Sequence, residues 1–233
     1  MGDAKTSSEM HAKYRDRLGK KFGDVYFHVK NEWVDILVTW KQYENLFGCG
    51  PERVELMNKS GSMFFHMVQR HFFEATLLGL CRLSDPLKTL NKENLTVMLL
   101  CEFMDTPERH DKLNALLDKV RVNTKFARDW RNRRISHNDL DLKHGTADPL
   151  EKATRELVSV SLNSVYDVLA YVSIEFLGAD LVNDVVGDFN NEFAMLERLY
   201  LGNLARKEEI RKLKFEGIRL ADKPDWLYNS RRT

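Results

Sequence analysis

The sequence predicts an all-α protein, and three features support that fold class. Only twelve glycines and five prolines punctuate 233 residues, which favours long elements because these residues most often end helices. Apolar residues recur at steps of three and four, the spacing that places side chains on one face of a helix. No pair of alternating segments joined by a hairpin turn is recognisable. We therefore expect an up-and-down helical bundle.

The composition indicates a folded protein from a reducing compartment. Hydrophobic residues make up 43% of the chain, and the formal net charge is +1, so a polyanionic partner would have to bind a local patch. Cys49, Cys81 and Cys101 are odd in number and widely spaced, which argues against a disulfide framework or a zinc site. No apolar run reaches about 18 residues and no signal-peptide core opens the chain. We expect a cytoplasmic protein without a membrane segment, a metal or a cofactor.

The first predicted helix extends from about residue 9 to Phe47. Its apolar side chains alternate at steps of three and four: Tyr26, Val29, Trp33, Ile36, Trp40, Tyr43 and Phe47. The sequence CGP at Cys49 to Pro51 ends it. A second helix is expected from Glu52 to about Leu83, and its later half is apolar nearly all round, which predicts a central, well-covered helix.

The later elements are predicted from their capping residues. Asn94 is expected to cap a short helix through Met104. Thr106 as N-cap and Pro107 at the first position begin a helix that continues into a basic stretch. Asp148, Pro149 and Glu151 form a capping box that begins a helix ending near Leu177. A charged helical region is expected from about Asn190 to Leu220.

These elements divide the chain into three segments of a single compact domain. Residues 1–51 are a long N-terminal helix packed on the bundle. Residues 52–180 are the bundle core and carry the basic stretch. Residues 181–233 are a charged helical extension.

The basic stretch RDWRNRRISHNDLD extends from Arg128 to Asp141. Between Lys119 and Arg134 there are seven basic residues and only Asp129 on the acidic side, so seven minus one gives +6 in a chain that carries +1. A solvated helix face is the alternative interpretation of such a run. Which side chains face the core decides between the two interpretations.

Helical geometry predicts which residues of this stretch face the core. Leu113, Leu117 and Val120 mark the core side of the helix. At 100° per residue, the same side is reached again by Arg131, Arg134 and Asn138. The side chains expected to point to solvent are those of Lys125, Arg128 and Asn132. A buried guanidinium must meet an anion or a carboxylate.

His137 lies about 120° away from Arg131 on an ideal helix. Two alternatives could bring them together: the helix unwinds near Ile135, or the groups meet across a second copy of the chain. Asp139 and Asp141 are close enough in sequence to orient the imidazole, which titrates near neutral pH.

These residues resemble the HEPN superfamily of helical bundles, whose signature is an arginine, a polar residue and then a histidine after four to six positions. The match is Arg131, Asn132 and His137, with five residues between Arg131 and His137. The sequences LLGLCRLSDPLKTLNKENLT and RNRRISHND are similar to the abortive-infection, U-type branch. The resemblance covers roughly Phe64 to Leu177 and implies a bundle of HEPN type with long flanking helices.

The resemblance implies a metal-independent ribonuclease in bacterial phage defence or a toxin–antitoxin setting, with its site at a homodimer seam. His137 would move the proton of a ribose 2′-hydroxyl or of the leaving oxygen. Arg131 would stabilise charge on the phosphate, and Asn132 would position it or hold the motif loop. The residues expected to attract RNA are Lys125, Arg128, Arg133 and Arg134. An antitoxin or another protein is a further expected partner.

Other readings stay open at this point. The chain could be a non-catalytic module that binds RNA, a nucleotide or a protein, or its arginines could only join two copies. Arg82 and Asp85 form either a helix-end ion pair or a second layer behind the motif. His71 and Glu74 are spaced as metal ligands, although a core histidine is the favoured interpretation. An Arg131 paired with a carboxylate of its own chain, together with a His137 facing away from any shared cleft, would contradict the nuclease prediction.

Overall fold

Helices form nearly all of the described chain. The computed structural model of the protein describes residues 6–137, 139–184 and 191–216. Its α-helices are α1 (Ser7–Leu18), α2 (Lys20–Tyr43), α3 (Pro51–Ser84), α4 (Pro107–Asn123), α5 (Lys125–Trp130), α6 (Leu140–His144), α7 (Arg155–Val172) and α8 (Asn191–Glu216). A 3-10 helix covers Val97–Phe103, and π-helical turns cover Glu44–Gly48, Arg131–Ile135 and Ser173–Leu177. The short strands are β1 (Lys88–Thr89) and β2 (Lys92–Glu93).

The core confirms the predicted all-α bundle. Helices α2, α3, α4 and α7 surround one apolar cluster in which Trp33 and Trp40 are fully covered. The indole of Trp33 donates to the carbonyl of Leu162 at 3.3 Å, so a buried N–H is satisfied across the bundle. The stretch Arg155–Leu177 is long and apolar enough to cross a membrane, but 61% of its apolar window is buried inside the protein. Such burial is that of a central core helix.

The predicted long N-terminal helix is wrong, because the chain turns back at Gly19. Gly19 has φ of 83° and separates α1 from α2, which pack side by side. Gly23 allows the close approach, since a Cβ there would lie 2.6 Å from the backbone of Tyr14. The predicted apolar face is confirmed for α2, but α1 and α2 form a helical hairpin where one helix was expected.

Helix α3 is less covered than its sequence predicts. Its first half extends beyond the bundle and packs with α8 around a second small cluster: Leu46, Met57, Phe65 and Leu196. On its outer side Met63 is 71% exposed and Phe64 64% exposed. His71 is exposed too and lies 3.9 Å from Glu74, so the interpretation as a core histidine is wrong.

A two-stranded hairpin, which the sequence did not predict, follows α3. Strands β1 and β2 pair through a turn in which Leu90 and Asn91 both have positive φ. Asn94 was expected to cap a helix. Its amide instead donates to the carbonyl of Pro86 at 2.7 Å and to the hydroxyl of Thr89 at 2.8 Å, which ties the hairpin ends together. The cap of the following 3-10 helix is Thr96.

Helix α4 begins as predicted, whereas α7 begins later. Thr106 caps α4, with Pro107 in its first turn. The predicted capping box from Asp148 to Glu151 does not form, and α7 starts at Arg155 with Thr154 as its cap. The final helix is described from Asn191 to Glu216, and its predicted end at Leu220 lies outside the described residues.

Candidate active site

Arg131 is held from two sides at the end of α3. It begins the π-helical turn after α5, and its Nη1 donates to both carboxylate oxygens of Asp85 at 2.8 and 3.1 Å. Its Nε donates to Oδ1 of Asn132 at 3.1 Å. The side chains of Arg131 and Asp85 are 28% and 23% exposed. No hydrogen bond joins Nη2 to any described residue, so one edge of this fixed guanidinium remains open.

Arg128 lies one turn earlier and caps the same end of α3. Its Nη2 donates to the backbone carbonyl of Ser84 and, at 2.9 Å, to the Ser84 hydroxyl. A cation at a helix C-terminus is favourable because it satisfies free carbonyls and interacts with the helix dipole. The prediction that Arg128 points to solvent is therefore wrong. Its structural role at this helix end explains why the side chain is half-buried.

Arg133 also turns inward, contrary to its assignment as an RNA contact on the surface. Its guanidinium lies 3.3 Å from Asp129 and 3.5 Å from Asp139, and it donates to the carbonyl of Asp148. The backbone N–H of Leu142 lowers the pKa of Asp139, and Arg133 lowers it further. Arg133 therefore holds the loop after the motif against α5.

Two further cations of the stretch are exposed. Lys125 points to solvent as predicted, and its Nζ lies 3.0 Å from a carboxylate oxygen of Glu151. Arg134 was expected to face the core with Arg131, and this orientation is wrong. It is exposed, with its guanidinium 5.5 Å from the ring centre of Trp130. Both side chains are thus accessible to a partner.

His137 follows directly after the point where the helix unwinds. The π-helical turn ends at Ile135, and the Ser136 N–H donates to the carbonyl of Arg131 at 2.8 Å. The helix unwinds near Ile135, as the first of the two alternatives requires, but no hydrogen bond joins His137 to Arg131 among the described residues. The imidazole is exposed and has no hydrogen bond to the described residues. Asn138, which was expected to face the core, lies outside the described residues.

The expected carboxylate partners of His137 have other partners. Asp139 caps α6 by accepting from the backbone N–H groups of Asp141 and Leu142 at 3.0 and 3.2 Å. Asp141 accepts from the hydroxyl of Thr146 at 3.4 Å. Among the described residues, neither carboxylate forms a hydrogen bond with the His137 imidazole.

Arg82 and Asp85 do not pair with each other. The Nε of Arg82 donates to Glu32 at 2.8 Å and so joins α3 to α2. Asp85, in contrast, contacts Arg131 directly. One of the two conditions stated against a nuclease, an intrachain carboxylate partner for Arg131, is therefore met. The other condition, that His137 faces away from a cleft shared by two copies, is not tested, because the structure describes a single copy of the chain.

Neither a metal site nor a reactive thiol is supported in the described part of the chain. No group of three His, Cys, Asp or Glu side chains there could hold a metal ion. Burial raises the pKa of the Cys81 thiol to about 11, although Arg131 lowers it, so this thiol is a poor nucleophile at neutral pH.

Two cations that sequence reasoning did not assign to the site lie beside it. Lys88 and Arg121 line a groove together with Arg128 and Ser84, next to the Asp85–Arg131 pair. They come from segments that are far apart along the chain, and only the fold brings them together. No local sequence signal could have connected them.

Comparison with known proteins identifies the family. A family model described as AbiU2, a HEPN family, matches residues 19–194, well over half of the chain. No curated protein and no solved structure matches. The matched range contains helices α2 to α7 and the Arg131–His137 segment. It supports a HEPN-type role associated with abortive infection, as the family name suggests. This chain belongs to the AbiU2 family of HEPN proteins.

Proposed function

We propose that this protein is a metal-independent endoribonuclease of bacterial phage defence or of a toxin–antitoxin system. Arg131 and His137 act together at a seam between two copies in the cytoplasm, where an antitoxin or another protein restrains them. The observation that supports this proposal is the fixed guanidinium of Arg131, bound on one side by Asp85 and on another by Asn132. Phosphodiester cleavage of this kind needs a preorganised donor for the phosphate and a histidine that can transfer protons.

In the proposed reaction each of these groups has one role. The 2′-oxygen of the RNA attacks the adjacent phosphorus while one imidazole accepts its proton. The open Nη2 edge of Arg131 donates to a non-bridging oxygen and stabilises the charge that develops there. The bond from phosphorus to the 5′-oxygen breaks, and the imidazole of the second copy donates a proton to that oxygen. The products are a 2′,3′-cyclic phosphate and a 5′-hydroxyl.

The other residues of the segment have supporting roles in this proposal. Asp85 and Asn132 are positioning residues because they fix the plane of the Arg131 guanidinium. Lys125 and Arg134 are accessible to the RNA backbone. Arg128 and Arg133 keep α3 and the motif loop in place, since their hydrogen bonds are to the protein itself.

Incubation of the purified protein with mixed RNA in excess EDTA tests the proposal. We expect cleavage products with cyclic phosphate ends, and His137→Ala should lower the rate by roughly a hundred- to ten-thousandfold. His144→Ala is the matched control, because His144 is an exposed histidine of the neighbouring helix α6. Loss of cleavage in EDTA, or full activity in His137→Ala, would contradict the mechanism. A strictly monomeric active protein would contradict the shared seam.

A non-catalytic HEPN module that binds RNA, a nucleotide or a protein is the second candidate. The observation that favours it is that Asp139 and Asp141 bind backbone and hydroxyl groups, and that no carboxylate of the described residues pairs with the His137 imidazole. Wild-type protein that binds RNA and leaves it intact would support this candidate.

A further inference from the structure

A groove of about 810 Å³ lies beside the Asp85–Arg131 pair. One wall is the segment from the end of α3 into β1, and the other is formed by the 3-10 helix with one residue each of α4 and α5. The lining includes Leu87, Lys88, Met98, Glu102, Arg121 and Arg128. Ser84 links the groove to the site, because it is the immediate neighbour of Asp85. Ser84 contacts Arg128 in the groove and Asp85 contacts Arg131, so the groove and the Arg131 guanidinium meet at the same end of α3.

The charged groups of the groove favour an anionic ligand. It holds three cations, Lys88, Arg121 and Arg128, against one carboxylate, Glu102. Arg128 is occupied by the end of α3, but Lys88 has no ion pair with a described residue. Among the described residues Arg121 pairs with Asp118, three residues away, and the two side chains are 49% and 69% exposed. Such an exposed pair is weak because both charges remain hydrated, so a phosphate can replace it.

The hairpin presents Lys88 on a fixed backbone. Asn94 bonds to Pro86 and Thr89 on either side of Lys88, so the strand that carries this lysine is tied at both ends. Leu87 and Met98 give the same groove apolar lining. Cations above an apolar surface match a single-stranded nucleotide, which has a charged backbone and a flat, poorly hydrated base.

We propose that this groove binds the nucleotide adjoining the scissile phosphate, with Lys88 and Arg121 holding its backbone. The inference rests on the proposed function, since it takes the partner to be single-stranded RNA. It goes further by assigning two residues outside the Arg–His segment, Lys88 and Arg121, to RNA binding.

The test uses binding of an RNA that cannot be cut. A fluorescent 12-nucleotide 2′-O-methyl RNA of mixed sequence lacks the attacking hydroxyl, and its affinity is measured against salt concentration by anisotropy. Each phosphate contact contributes about 0.7 to the salt slope for a single strand. The double variant Lys88→Ala/Arg121→Ala should reduce the slope by about 1.4, which corresponds to roughly 25-fold weaker binding at 0.1 M salt and almost none of that loss near 1 M.

Two further variants keep the test specific. Lys59→Ala/Arg206→Ala removes the same charge from a cavity between α3 and α8, and its affinity should stay within about threefold of the wild type. Glu102→Gln removes the only carboxylate of the groove and should strengthen binding, because it removes repulsion of the phosphate. Equal losses in both double variants, or an unchanged slope in Lys88→Ala/Arg121→Ala, would overturn the groove assignment.

Failure of the groove assignment can be distinguished from failure of the nuclease proposal. If the wild type cuts RNA and the Lys88→Ala/Arg121→Ala variant does so with an unchanged KM, the groove assignment fails while the nuclease stands. If the wild type cuts no RNA but the slope falls by the expected amount, the nuclease fails and the groove stands.

Discussion

The ion pair between Arg131 and Asp85 gives the most direct test of the site geometry. Both contacts come from one nitrogen, Nη1, at 2.8 and 3.1 Å, so the pair lacks the two-nitrogen fork of the strongest arginine–carboxylate pairs. About three quarters of each side chain is covered, with 28% and 23% exposed. Breaking a fully buried pair costs roughly 3–5 kcal/mol, and an exposed pair contributes up to about 1 kcal/mol. We expect a coupling free energy of about 2 kcal/mol, between these limits.

A double-mutant cycle measures this coupling. The free energy of unfolding is obtained from urea titrations of the wild type, Arg131→Ala, Asp85→Ala and the double variant. The exposed pair of Arg121 and Asp118 serves as the control, with an expected coupling of at most about 0.5 kcal/mol that disappears in 1 M salt. A coupling below about 0.5 kcal/mol for Arg131 and Asp85 would refute the reasoning, because the guanidinium would then not be held.

The size of this coupling also constrains how Arg131 meets a phosphate. If substrate had to displace Asp85, a coupling of about 2 kcal/mol would reduce its affinity roughly 30-fold. A phosphate that binds the open Nη2 edge keeps the pair intact and avoids this loss. The cycle repeated in the presence of an uncut RNA separates the two cases, because the coupling survives only if the pair stays formed.

Three further predictions concern the scaffold. Cys49, which is exposed, should react with a thiol reagent at pH 8 within minutes, whereas Cys81 should react only on unfolding because burial raises its pKa to about 11. A hydrogen bond from Arg15 lowers the pKa of Asp24 from 3.8 to about 2, so this carboxylate contributes stability above pH 4 that is lost as the pH falls through about 2. The difference in Tm between wild type and Asp24→Asn should accordingly shrink from pH 5 to pH 2; a constant difference would contradict it. Gly23→Ala should destabilise the fold by roughly 1–3 kcal/mol in urea titrations, since its Cβ would meet the α1 backbone at 2.6 Å.

Local chemistry in the sequence was sufficient for part of the fold. The cap at Thr106 and Pro107 and the buried face of α4 were predicted, because each depends on residues within a few positions of one another. One continuous helix was predicted over residues 9–47. The reason is that the apolar spacing of α2 continues as far as Phe47. The actual break depends on a single residue, Gly19, whose positive φ permits the reversal.

Tertiary contacts decided the elements that were predicted wrongly. The capping box at Asp148 is displaced because the carboxylate of Asp129 accepts from the Glu151 N–H at 2.8 Å, and the indole of Trp130 donates to the Glu151 carbonyl at 2.8 Å. These contacts join segments about twenty residues apart and cannot be recognised in a local pattern. They hold the chain extended where a helix start was expected, and α7 begins only at Arg155.

The side-chain orientations of Arg128, Arg133 and Arg134 were predicted wrongly for a geometric reason. The helix is interrupted at Thr124, which has φ of −93° and ψ of 3°, and it ends in a π-helical turn. A π-helical turn includes one extra residue, which rotates the later side chains by about 100° relative to an α-helix. Arg134 therefore turns outward and Arg133 inward, although the residue types of the site were recognisable from the sequence.

Some cations of the basic stretch are exposed and others are bound to the protein itself. This difference predicts how RNA binding depends on salt. Seven cations between Lys119 and Arg134 suggest many phosphate contacts, but Arg128 and Arg133 are bound to the protein itself. Lys125→Ala should therefore reduce the salt slope for the uncut RNA by about 0.7, as should Arg134→Ala. Arg133→Ala should lower the free energy of unfolding and leave the slope unchanged. If Arg133→Ala reduced the slope as much as Lys125→Ala, the inward orientation of Arg133 would be wrong, and the stretch would be the solvated RNA-facing surface that its charge alone predicts.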